Sequence, residues 1–323
     1  MIARLLGPLA LGAAGVALLG RPRRAGSPAL LPKSTGKGLA LPSSPRISHA
    51  DALRAARRLN GAAGTLALAV LLDSAVEHYR GSFRNPAMYT PLGVSALTLA
   101  ASLHGVADAR PSNKHRARDG IALAAAVTGL AGTGFHLFNV LRRPGGFVWQ
   151  NLFYGAPLGA PLAILLAGLV GAAAERVRDH PATVVPRLFG LPAGRVLAGL
   201  SSLGILGTVG EAGLLHFRGA FHNPAMLLPV TVSPVASALL AEAAAGPARR
   251  DRRFTRWWLR LTALLGLAGV GFHAWGVQRN MGGWRNWSQN LLVGPPLPAP
   301  PSFTGLALAG LAALRLLEDE PDA

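Results

Sequence analysis

Asp73, His78, Arg80 and His136 are followed, 137 or 138 residues later, by Glu211, His216, Arg218 and His273. Imidazoles and carboxylates are the side chains that ligate iron, manganese or zinc, and two imidazoles can serve as the axial ligands of a b-type haem. His136 and His273, with Asp73 and Glu211, are therefore the candidate metal ligands. His136, His273, His78 and His216, with Arg80 and Arg218, are the candidates for holding a cofactor. Each ligand stands alone on its segment, with no HExxH or paired-histidine turn, so the spacing names no particular metal.

The elements that must position these groups are apolar. Half of the 323 residues are hydrophobic (50%), 14% are charged, and the mean hydropathy is +0.35. That composition is too apolar for a soluble domain of this length and predicts a membrane protein. Stretches such as "AAGTLALAVLLDSAV" (62–76), "IALAAAVTGLAGTGFHLF" (121–138) and "LTALLGLAGVGFHAW" (261–275), with their flanks, approach the roughly 20 residues that cross a bilayer.

The chain is a duplicated unit. "HYRGSFRNPAM" (78–88) returns as "HFRGAFHNPAM" (216–226), "GFHLFNVLRRPGG" (134–146) as "GFHAWGVQRNMGG" (271–283), and "QNLFYGAPLGAP" (150–161) as "QNLLVGPPLPAP" (289–300). Each unit holds four apolar spans, at about 59–79, 92–107, 120–141 and 158–174, then 196–216, 229–245, 257–278 and 303–317. The second and fourth are short and flanked by Gly and Pro, a length that suits either little tilt or re-entry. The expected fold is all-α: a polytopic integral membrane protein of two tandem parallel four-helix units, 51–178 and 179–318, about eight spans in all. Residues 1–50 hold a short apolar run (5–20), read as an anchor or a signal, then a disordered basic, Pro-rich linker. Residues 319–323 form an acidic tail.

The formal charge of +18 is carried by arginine clusters between spans. Those around Arg54, Arg110, Arg176 and Arg249 fall on one side, predicted to be cytoplasmic and to attract anionic lipids. Such clusters do not form the continuous basic face that nucleic acid requires. The repeated motifs then lie on the outer side of what is expected to be the cytoplasmic membrane. Cysteine is absent, which excludes disulfides, Cys-ligated clusters and c-type haem.

The two Asn-Pro-Ala triplets, at 85–87 and 223–225, resemble the aquaporin signature. That family's repeats have an odd number of spans and are inverted, whereas an even number here makes the repeats parallel, with both motifs on one face. Arg80, Arg84, Arg218 and His222 flank the triplets. Asn as an N-cap with Pro at the first helical position is the reading that fits.

At a helical rise of about 1.5 Å per residue, Asp73 lies about 10 Å below Arg80 and His136 about 9 Å below Arg142, so the two are level. A carboxylate at that depth needs a partner, and histidine is the natural one. Repeat symmetry would set His136 opposite His273 with Asp73 and Glu211 beside them. His78 and His216, about 3 Å down and turned about 140° from those carboxylates, belong with the outer loops, where Arg80, Asn85 and Gln150 could help bind a polar head group such as a quinone. Three functions follow: a cofactor- or metal-binding membrane subunit of a redox system, with a redox partner subunit or quinone; a proton-coupled transporter or channel using carboxylate–histidine relays; or a scaffold whose motifs only determine the fold.

Overall fold

In a computed structural model of the chain, the described residues are 48–110, 115–181, 185–247 and 251–318. The expected N-terminal anchor and linker and the acidic tail lie outside them. The described chain is helical apart from turns and one two-residue hairpin. Its helices are α1 (His49–Arg80), α2 (Thr90–Ala107), α3 (Arg116–Leu141), α4 (Trp149–Tyr154), α5 (Gly159–Arg178), α6 (Ala193–Arg218), α7 (Leu228–Ala245), α8 (Arg253–Gln278), α9 (Trp287–Val293) and α10 (Pro301–Glu318). Strands β1 (Arg187–Leu188) and β2 (Leu191–Pro192) join α5 to α6. Phe189 and Gly190, at φ 52° and 81°, supply the two left-handed residues that such a tight hairpin needs.

Seven of the long helical segments are long and apolar enough to cross a membrane, and the protein is an integral membrane protein in this sense. They include the second and fourth apolar segments, Pro86–Ala107 and Gly159–Arg178, which therefore need no re-entrant geometry. The eighth expected span, α10, is helical but is not among the seven; it has only 18 residues and carries Arg315 and Glu318. Instead it is the most enclosed helix, with 12 of its residues buried. It packs against α1, α6 and α8. The first span also starts earlier than the hydropathy predicts, because Ser48 caps α1 by accepting a hydrogen bond from the Asp51 N–H (3.1 Å).

Small residues let these helices approach closely. A Cβ at Gly129 of α3 would lie 2.6 Å from Leu165 Cα of α5, and one at Gly266 of α8 would lie 2.8 Å from the Pro300 carbonyl oxygen. The core is accordingly rich in alanine, including Ala62, Ala63, Ala167, Ala198, Ala307 and Ala312. Lipid tails give apolar helices no hydrophobic drive to associate, so this close contact is the main attraction available.

Candidate functional site

The repeated eleven residues form a closed turn. Helix α1 ends at Arg80, Gly81 follows, and Ser82 and Phe83 adopt left-handed backbone (φ 56° and 45°) before Asn85 starts the next helix. The Asn85 side-chain oxygen accepts from the Ala87 N–H (3.0 Å), and Pro86 opens a short 3-10 turn that runs into α2. Asn223, Ala225 and Pro224 repeat this arrangement ahead of α7, with Ala220 and Phe221 left-handed. The Asn-Pro-Ala triplets are thus helix starts, as the cap reading requires. A Cβ at Gly81 or Gly219 would lie 2.9 or 3.0 Å from the methyl carbon of Met88 or Met226, which pack on these turns.

Histidine closes each turn. His78 Nδ1 donates to the Met88 carbonyl (2.6 Å) and His216 Nδ1 to the Met226 carbonyl (2.8 Å). One turn deeper, His136 Nδ1 donates to the Pro157 carbonyl and His273 Nδ1 to the Pro296 carbonyl (2.6 Å). A carbonyl can only accept, so Nδ1 carries hydrogen in all four rings. The neutral ring then leaves its Nε2 lone pair free, the second-partner arrangement found at ligating histidines. All four rings are half-buried.

The grouping of these residues differs from the sequence expectation. His216 and His273 meet within the second half, with ring centroids 6.5 Å apart and planes at 70°. Within the first half no ring contact joins His78 to His136 among the described residues, although both Nδ1 atoms bond to carbonyls. His78 and His216 do join the loops, through Met88 and Met226, and His216 also meets the deeper His273. Glu211 accepts from the Gly159 N–H at the start of α5 (3.2 Å). Among the described residues no hydrogen bond or ion pair joins Asp73 or Glu211 to any histidine, and no three His, Asp or Glu side chains are grouped as a metal ion would need.

Arg80 pairs with Glu77 (2.5 Å). Arg218 lies over the Tyr154 ring, 5.3 Å from its centroid, while Phe217 meets Phe153 edge-on. These contacts bring the short helix α4 against the end of α6, so both Asn-Pro-Ala turns lie at one end of the bundle. Asn151 and Asn290 hold the glycine turns beside them, donating to Pro144 and Gly146 and to Met281 and Gly283. Gln150 and Gln289 are exposed. An apolar groove of about 520 Å³, lined by Ala268, Gly271, Phe272 and Trp275, lies on α8 roughly 150° around the helix from His273 and so belongs to its far face.

At the opposite end the first half buries a charge network that the repeat comparison missed. Arg118 donates to Asp108 (3.1 Å), Glu175 (2.6 Å) and His104 Nδ1 (3.1 Å). Asn60 donates to Glu175 (3.1 Å), and His115 Nε2 meets Asp108 (2.9 Å). Arg178 caps the end of α2 through the carbonyls of Gly105 (2.6 Å) and Asp108 (2.8 Å). The Arg110 side chain, its backbone N–H and Arg118 all donate to Asp108, holding that carboxyl well below the usual carboxylate range. The signal available in the sequence was charge at the edges of apolar spans, in "RARDG" (116–120) and "AAAERVR" (172–178).

Comparison with known proteins adds no relative: no family model, curated protein or solved structure matches this chain.

Proposed function

We propose that this integral membrane protein binds a prosthetic group through paired imidazoles, and that its chemistry is that of a redox subunit with two parallel four-helix units. The observation that carries this reading is the His216–His273 pair, 6.5 Å apart, with each Nδ1 tied to a backbone carbonyl and each Nε2 left as a donor. His78 and His136 also bond to carbonyls through Nδ1, but no ring contact brings the two together among the described residues, so the reading is centred on the second half.

A single pair of imidazoles favours one of the groups considered. Zinc sites take three or four protein ligands, and no such group occurs among the described residues. A b-type haem could be held by His216 and His273 without cysteine and would supply electron transfer, so it is the group that this donor set favours. In this reading the histidines bind and orient the group, and Arg80 and Arg218 position its anionic edge or that of a partner. The turn end faces outward, the arginine-rich end faces the cytoplasm and its anionic lipids, and a partner subunit or quinone exchanges the electrons.

The test is haem and metal quantification on the detergent-purified full chain. Haem in the wild type that is lost in His216→Ala and in His273→Ala supports the reading. A metal- and haem-free wild type, purified from cells supplied with haem and iron, overturns it.

A further inference from the structure

We infer that the first half holds one buried water molecule at its charge network, at a site that the second half has closed. Between α1, α2, α3 and α5 lies a cavity of about 10 Å³ lined by polar groups of Asn60, Thr98, Ser102, Arg118 and Glu175. That is the room one water needs, and a buried water also needs two to four polar partners.

The partners are there. Arg118 is 5% exposed, and its Nε–H is buried with nothing to donate to. Among the residues lining this cavity it is the one with such an atom. Leaving a charged donor unmet costs more than leaving a neutral one, so this N–H is the strongest reason for a guest. Ser102, 4% exposed, lines the cavity, and its hydroxyl can accept from the water, as can the Asn60 carbonyl oxygen and Glu175. Charge decides against an ion: a cation would face Arg118 and Arg178, with Arg110 as a third positive charge on Asp108, and an anion would face Glu175. A further unit charge in so small a space would be uncompensated.

The chain itself carries the comparison. At the repeat spacing, Asn60, Thr98, Ser102, Glu175 and Arg178 correspond to Ala198, Ala236, Leu240, Leu314 and Leu317, and Arg118 to Thr255. All six counterparts are buried. At these six positions the second half carries mostly methyl and isobutyl groups, with Thr255 keeping a hydroxyl and Arg252 buried nearby. Replacing buried ion pairs by apolar residues is often neutral or stabilising, so the helices can pack without charge at the positions that line the first-half cavity.

The experiment is a density map of the full chain in lipid nanodiscs, at a resolution that shows ordered water, for the wild type and for Ser102→Leu. A peak about 2.7–3.2 Å from Arg118 Nε in the wild type, absent in the variant, and no peak among Ala198, Ala236 and Leu240, is the expected result. No peak at Arg118 Nε in a wild-type map that shows water elsewhere overturns the inference, as does an equal peak in the second half. Should Ser102→Leu fail to fold, the wild-type map decides alone. None of these outcomes depends on whether the histidines at the other end bind haem.

Discussion

His216 and His273 approach to 6.5 Å between ring centroids, and each gives its Nδ1 hydrogen to a backbone carbonyl, that of Met226 and that of Pro296. The two carbonyls come from different loops, one following α6 and one preceding α10. A single pair of rings therefore ties both loops to the helix ends, and the free Nε2 atoms depend on the loops being in place.

The caps can be tested directly. Asn85→Ala and Asn223→Ala each remove the acceptor for one N–H, at Ala87 and at Ala225. Each is expected to lower stability by about 1 kcal/mol. Ser82→Gly and Ala220→Gly relieve left-handed strain and are expected to raise it by up to about 1 kcal/mol. Thermal unfolding in detergent, read by near-ultraviolet circular dichroism, compares the four variants.

Glycine contacts give a second contrast. Gly129→Ala drives a methyl into the Leu165 backbone and is expected to cost about 1–3 kcal/mol. Gly134→Ala, five residues along the same helix, meets nothing within 4 Å and is expected to be neutral or mildly stabilising through helix propensity. Equal losses in the two variants would contradict the packing of α3 on α5.

The charge network predicts non-additivity. Arg118→Leu or Glu175→Leu alone strands a buried charge and is expected to cost about 3–5 kcal/mol. The double variant, which imitates the apolar second half, is expected to recover most of that loss. A double-mutant cycle on unfolding midpoints measures the coupling.

Asp108 predicts the acid limit. Its carboxyl is held below the ordinary range in the folded state, so its contribution is complete above the unfolded value of about 3.9 and is lost as pH falls through the depressed one. Stability should therefore drop as pH falls below about 4. Asp108→Asn should be less stable at neutral pH and show a shallower acid slope, measured as the unfolding midpoint from pH 6 down to pH 3.

Much of the architecture was legible because hydrophobic runs and an internal repeat are strong signals. The ends of α1 at Arg80, of α6 at Arg218 and the Asn–Pro helix starts could be read residue by residue. The histidine pairing could not. Depth along a helix is fixed by rise, but which histidine faces which depends on how α1, α3, α6 and α8 lean toward the turns, and the 140° helical-wheel separation from Asp73 says nothing of that lean. Comparing repeats also hides whatever only one copy has, which is why Asp108, Arg118 and Glu175 escaped notice. The enclosed position of α10 was illegible for a related reason: composition alone does not separate a buried helix from a lipid-facing one.

The central claim is that the paired imidazoles ligate a prosthetic group, and a reduced-minus-oxidised absorption spectrum of membranes containing the full chain tests it most directly. A Soret band and a sharp α band, lost in the His216→Ala/His273→Ala variant at equal protein level, are the expected result. Membranes rich in folded protein and supplied with haem, but showing no spectrum beyond that of the host, would contradict it.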